Sequence, residues 1–170
     1  DGNTDLAIGC VKFGVGGGVL ILFLDDKGSV KSHTYIGENE GGLVTTVNTG
    51  SLIKFGSSVA NLGDLDGDGV TDIAVGSFEN SGGNVFILFL KADGTVKAQK
   101  IIESNRNGFN VELNLDDAFG RSLATLHDLD NDGNPELLVG NPRDEKDGES
   151  IGAAYILFLN SDGTVKKHTK

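Results

Sequence analysis

Residues 63–76 read GDLDGDGVTDIAVG and place four carboxylates, Asp64, Asp66, Asp68 and Asp72, within nine positions. Like charges at that density repel unless something positive lies among them. The pattern D-x-D-x-D-G-x-x-[DE] recurs in HDLDNDGNPELLVG, residues 127–140, with Asp128, Asp130, Asp132 and Glu136. Alternate positions bring side chains to one side of a tight loop. Gly69 and Gly133, at the sixth position, permit a bend that other residues resist. Three Asp side chains, the carbonyl of position seven and the carboxylate of position nine make an all-oxygen cage. Such a cage suits Ca²⁺, which takes about 6–8 oxygen ligands, better than Mg²⁺, which keeps more of its own water. The first loop offers Asp64, Asp66, Asp68, the Val70 carbonyl and Asp72. The second offers Asp128, Asp130, Asp132, the Asn134 carbonyl and Glu136. An EF-hand needs a bidentate Glu at position twelve and a helix on each side. Position twelve here is Val75 or Val139, inside an apolar run. The alternative is a solvated acidic turn without metal.

Other chemistry finds little purchase. Paired carboxylates can perform acid–base work on a glycosidic bond, but the dense carboxylates already have ligand spacing. His33 and His168 share one repeat position and read as surface residues, and His127 merely replaces Gly63. Ser57 and Ser58 have no evident base nearby. Cys10 is the single cysteine, so no intrachain disulfide and no cysteine-rich metal site can form. The net charge of −11 argues against nucleic acid or an anionic membrane as main partner. The longest apolar runs are far short of the ~20 residues of a membrane-spanning helix.

The elements that position these loops are repeated. Three phrases align: GVLILFLDDKGSVKSHTYI (18–36), NVFILFLKADGTVKAQKI (84–101) and AAYILFLNSDGTVKKHTK (153–170). DGNTDLAIG, DGVTDIAVG and DGNPELLVG precede them; FGSSVANLGDLD and FGRSLATLHDLD precede the last two of these. Asp1 to Asp68 spans 67 residues and Asp68 to Asp132 spans 64, which sets the period. Each unit reads as four strands: SSVANLGDL, DIAVGSF, NVFILFL and TVKAQKII in the middle copy. Gly94 and Gly163 sit where a hairpin turn wants φ > 0. ILFL does not alternate, so both faces of that strand are expected to be covered. Units of four strands, buried by their neighbours, describe an all-β fold of β-propeller blades, part of a larger ring. An extended solenoid is the rival, but its repeats usually run ~20–45 residues. The expected units are 1–36, an incomplete blade with strands two to four; 37–102, a full blade with its loop at 64–72; and 103–170, a full blade with its loop at 128–136.

FGSSVANLGDLDGDGVTDIAVG and FGRSLATLHDLDNDGNPELLVGNP resemble the FG-GAP repeat of integrin α-subunit propellers and bacterial surface proteins. The FG is Phe55–Gly56 and Phe119–Gly120; the GAP element is degenerate, Gly76-Ser77-Phe78 and Gly140-Asn141-Pro142. The resemblance implies a propeller, usually seven-bladed, with Ca²⁺ in the hairpin between the first two strands of a blade. It carries the ligand roles onto the residues named above, and adds Asp1, Asn3 (as a carbonyl donor) and Asp5 as a partial third site. It also implies that partners dock on the opposite face, on loops near 10–17, 78–83 and 141–151 and near 37–54 and 103–118. Phe78, Phe109, Arg143 and Asp144 are the candidate partner-binding residues there. The alternative is plain solvated loops.

The expected function is a non-enzymatic, calcium-stabilised adhesion or structural module, extracellular or at the cell surface, that binds a protein partner or further blades of the same protein. A lectin-like propeller or an accessory domain of a secreted enzyme is the alternative. Sugar sites favour aromatic platforms, yet Trp is absent and only Tyr35 and Tyr155 are present besides Phe. The chain opens without Met and inside an acidic loop. That predicts a longer parent with more repeats, or a homo-oligomer or filament of short chains.

Overall fold

In the computed structural model, residues 2–12, 16–44, 54–78, 82–146 and 148–170 are described. They form β1 (Leu6–Cys10), β2 (Gly18–Leu24), β3 (Val30–Gly37), β4 (Ser58–Gly63), β5 (Asp72–Ser77), β6 (Asn84–Leu90), β7 (Val96–Ile102), β8 (Ser122–Thr125), β9 (Glu136–Asn141), β10 (Glu145–Lys146), β11 (Glu149–Ser150), β12 (Ala153–Leu159) and β13 (Val165–Thr169). No helix forms among the described residues. The strands build antiparallel sheets in the orders β1-β2-β3, β4-β5-β6-β7 and β8-β9-β12-β13, and β10 pairs with β11 alone. The fold is therefore all-β, with antiparallel four-stranded sheets of the kind that form propeller blades. The β10–β11 hairpin lies within 141–151, which the sequence presents as a loop.

Each sheet is a meander because short turns join strands of like pattern. In the middle sheet, Ala74 faces Ile87 across β5–β6, and Ile87 faces Lys100 across β6–β7. The β6–β7 and β12–β13 turns close through Gly94 and Gly163, at φ of 78° or nearby, as the hairpin requires. Asp93 and Asp162 lock these turns. Each accepts the N–H and the hydroxyl of the Thr two residues on, at 2.6–3.0 Å.

The three sheets stack face to face. Val19, Ile21 and Ile36 of the first sheet meet Ile73, Val75, Phe86, Leu88 and Leu90 of the second. The other face of the second sheet, with Ala74, Val85, Ile87 and Phe89, meets Leu137, Val139, Tyr155, Leu157 and Leu159 of the third. β6 is buried along its whole length, as ILFL demanded, because it has a sheet on each side. The same four letters alternate in exposure in β12. One face of the third sheet lacks a neighbour among the described residues.

Glycines set the distance between sheets. A Cβ at Gly76 would stand 1.9 Å from the Gly120 carbonyl oxygen, and one at Gly9 equally close to that of Gly56. The backbone of one sheet's second strand thus lies against the Phe-Gly corner of the next unit. Phe55 and Phe119 anchor those corners and are fully buried. Their N–H groups donate to the Gly16 and Gly82 carbonyls at 3.0 Å. The recurring Phe-Gly and the glycine ending Ile/Val-Gly are therefore two halves of one contact between successive units.

Candidate metal centres

The loops between β4 and β5 and between β8 and β9 have one construction, written twice. Asp64 and Asp128 organise the bend. Asp64 Oδ1 and Oδ2 accept the N–H groups of Asp68 and Gly69 at 2.8 and 2.9 Å. Asp128 accepts those of Asp132 and Gly133 at 3.2 and 2.8 Å. Asp68 Oδ1 and Asp132 Oδ1 then accept the N–H of Val70 and Asn134, both at 2.9 Å. Gly69 and Gly133 adopt φ of 87° and 94°, which an L side chain would strain. Position four is also left-handed: Gly67 in one loop, Asn131 at 59° in the other. Asn tolerates that region better than most residues.

The ninth position ties the loop to the sheet. Asp72 is fully buried. Its Oδ2 accepts the Leu65 N–H at 3.1 Å and its Oδ1 the Leu90 N–H at 3.0 Å. Glu136, 1% exposed, accepts the Leu129 N–H at 2.5 Å. Asp5 accepts the Leu24 N–H at 2.9 Å, so the first unit retains this anchor although Asp5 is exposed.

In each loop three carboxylates converge. Oxygens of Asp64, Asp66 and Asp72 lie within 4.8 Å of one another, as do those of Asp128, Asp130 and Glu136. Asp130 Oδ1 is buried without a hydrogen-bond partner. An orphaned carboxylate oxygen among other carboxylates is a ready ligand, and its donor set is all oxygen. Both clusters can therefore hold a metal ion. Asp68 and Asp132 stand outside these trios, turned to their own loop backbone and to lysines. Val70 and Asn134 are half-buried at the seventh position. Asn3 is half-buried, and Asp1 lies outside the described residues.

The lysines were not singled out from sequence. Lys97 Nζ contacts Asp66 Oδ2 at 2.8 Å and also Asp68 Oδ2. Lys166 Nζ contacts Asp130 Oδ2 at 3.0 Å and Asp132 Oδ2 at 2.8 Å, and Lys167 Nζ lies 3.3 Å from Asp130 Oδ2. The signal was present: T-V-K follows both hairpin turns at the same repeat position. Their ammonium groups hold the carboxyls of Asp68, Asp130 and Asp132 below the usual range, and the carboxylates in turn raise Lys97 and Lys166. Burial pushes Asp72 the other way, up.

Two of the candidate partner-binding residues require correction. Phe109 is fully buried, stacked on Phe119 at 4.7 Å and edge-on to Tyr155 at 5.4 Å. Its loop folds back over the core instead of presenting the ring. Asp144 is also buried; it accepts the Tyr155 hydroxyl at 3.1 Å and pairs with Lys170 at 2.6 Å. Arg143 is exposed. Phe78 is half-buried between two cations, with Lys54 Nζ 4.7 Å and the Arg121 guanidinium 4.6 Å from its ring centroid. Among the described residues no helix is long and apolar enough to cross a membrane.

Comparison with known proteins agrees with this geometry. The FG-GAP repeat family matches residues 55–88 and 119–157, each covering a Phe-Gly corner, an acidic loop and the strands beyond it. Integrin alpha-5 of Xenopus laevis is 39% identical over 90 residues, 51% of this chain and 8% of that protein. Integrin alpha-2 of Mus musculus is 33% identical over 127 residues, 72% of this chain and 10% of the relative. Integrin alpha-7 of Homo sapiens is 31% identical over 150 residues, 85% of this chain and 11% of the relative. The chain thus spans about a tenth of the length of these relatives. With its Phe-Gly corners, paired acidic loops and four-stranded sheets, the chain carries two FG-GAP repeats and is similar over them to integrin alpha chains.

Proposed function

We propose that this chain is a segment of a non-enzymatic, calcium-stiffened β-propeller that acts in protein–protein adhesion outside the cell or at its surface. The observation that carries the reading is the pair of repeat-equivalent carboxylate cages on neighbouring sheets. Calcium–oxygen distances of about 2.3–2.6 Å put opposite ligands about 5 Å apart, so oxygens that all lie within 4.8 Å of one another can reach a single ion. The ion would take Asp64, Asp66, Asp68, the Val70 carbonyl and Asp72 in one loop. In the other it would take Asp128, Asp130, Asp132, the Asn134 carbonyl and Glu136. Asp1, Asn3 and Asp5 would supply part of a third. The chemistry it supplies is electrostatic: it neutralises the crowded carboxylates and fixes the hairpin.

The units 1–36, 37–102 and 103–170 would then be successive blades. Their end faces would be covered by further blades of the same protein or by another copy. The opposite loops, with Arg143 and the Phe78–Arg121 pair, are where a protein partner would be read. The integrin alpha relatives support adhesion over catalysis, and burial of Phe109 and Tyr155 leaves a lectin reading with fewer aromatic platforms among the described residues.

Metal removal tests the reading. Chelation with EDTA is expected to lower the melting temperature, and millimolar Ca²⁺ to restore it. A ligand at a hundred times its Kd stabilises by about 2.7 kcal/mol per site, roughly 5–10 °C for a chain of this size. Identical melting curves with and without Ca²⁺ would refute the calcium assignment.

A further inference from the structure

We propose that Lys97 and Lys166 are resident cations of the two acidic loops, which a metal ion must displace, so that they set how tightly each loop binds it. The inference rests on the calcium reading above. Each lysine is the second residue of the last strand of its sheet, β7 or β13, directly after the hairpin turn. Each ammonium bridges the third and fifth positions of its own loop: Asp66 and Asp68, or Asp130 and Asp132. The same bridge in two units 69 residues apart (Lys97 to Lys166) is a property of the repeat.

The carboxylates chosen are the informative part. The first-position Asp in each loop has both oxygens engaged by backbone N–H groups. The ninth-position residue is anchored to backbone N–H groups, two buried ones in the first loop and that of Leu129 in the second. The third and fifth positions therefore hold the oxygens most open to a cation, and the lysine takes them. In the second loop Lys166 and Lys167 both meet Asp130 Oδ2, while Oδ1 of the same carboxyl is the buried, unpartnered atom. The loop is thus partly neutralised from outside while its inner oxygen stays free. A divalent ion arriving at the same carboxylates meets a unit positive charge a few ångströms away. At about 4 Å that repulsion between a double and a single charge is worth a factor of about thirty in affinity even in water-like surroundings. Without metal, the lysines keep the loops from flying apart.

The test uses the whole chain with two double variants, Lys97→Met/Lys166→Met and Lys97→Arg/Lys166→Arg. Ca²⁺ binding is measured by titration calorimetry, and melting in EDTA by circular dichroism. The Met variant is expected to bind Ca²⁺ more tightly than the wild type, by about thirtyfold per site. It should also melt lower than wild type in EDTA, with the gap closing at saturating Ca²⁺; the Arg variant should keep wild-type affinity. Should the Met variant not fold, the single Lys166→Gln variant gives the same comparison for the second loop. Wild-type protein that binds Ca²⁺ beside variants that bind it no more tightly overturns the lysine role alone. Absence of Ca²⁺ binding in every protein overturns the proposed function as well.

Discussion

Asp72 gives the sharpest test of how the loop is joined to the sheet. It is fully buried at the head of β5, and its two oxygens accept the N–H groups of Leu65, in the loop, and Leu90, at the end of β6. Both leucines are themselves buried. Replacing Asp72 with Ala strands two buried donors, each worth about 1–3 kcal/mol. Removing a buried carboxylate, whose ionisation burial already disfavours, offsets part of that loss. The net cost in metal-free protein is therefore about 2–4 kcal/mol, or roughly 5–15 °C at about 2–4 °C per kcal/mol. Asp72→Asn keeps the shape and one acceptor but turns an NH₂ toward the other donor, so about half that loss is expected. Calorimetric melting in EDTA reads this part alone. Added Ca²⁺ should then raise the Asp72→Ala variant by less than the wild type, because only the second loop is intact. An Asp72→Ala protein that melts within a degree or two of wild type in EDTA would refute the anchoring role.

Two further outcomes follow from the packing and the turns. Ile87 and Ile156 occupy one repeat position, but Ile87 is fully buried between sheets while Ile156 is half-buried on the third sheet's outer face. Ile87→Ala should cost about 2–5 kcal/mol in urea denaturation and Ile156→Ala less than half as much; equal losses would show that another surface covers the outer face. In the hairpin turns, the hydroxyls of Thr95 and Thr164 hold Asp93 and Asp162 below the ordinary carboxyl range. A lowered folded-state pKa contributes stability that is present above the unfolded value, near 3.8, and is lost as pH falls through the folded value. Melting temperature should therefore fall as pH drops below about 4, with a shallower slope in Thr95→Val/Thr164→Val; an unchanged slope would exclude these turns as the cause.

Much of this was legible in the chain because it is written in local patterns. The D-x-D-x-D-G spacing foretold tight acidic loops bent at their Gly, since both depend on residues within nine positions, but not that the first Asp caps the bend. The run ILFL foretold a strand covered on both faces, which holds for β6 and not for β2 or β12. The loop residues Phe109 and Asp144 were misjudged as surface because a loop of polar composition hides which of its side chains folds inward. Phe109 is drawn in by Phe119 and Tyr155, 10 and 46 residues away in sequence. The lysine bridges were missed for a related reason: Lys97 meets Asp66 and Asp68 only because the meander brings the last strand back beside the first turn.

The sequence by itself determined the four strands of the repeat, the repeat itself and the two carboxylate loops, though not the short β10–β11 hairpin. Each follows from alternation, turn chemistry and spacing that a single unit contains. Only the tertiary structure decided burial, because a sheet face is covered or open according to its neighbours. Leu88 and Ile87 of β6 are both sealed, whereas Ile156 of the same ILFL phrase is half open and Leu22 likewise. It also decided which charges meet. Carboxylates that read as mutually repelling are met by Lys97 and Lys166 from across the sheet, where a short-range pattern in the chain has no reach.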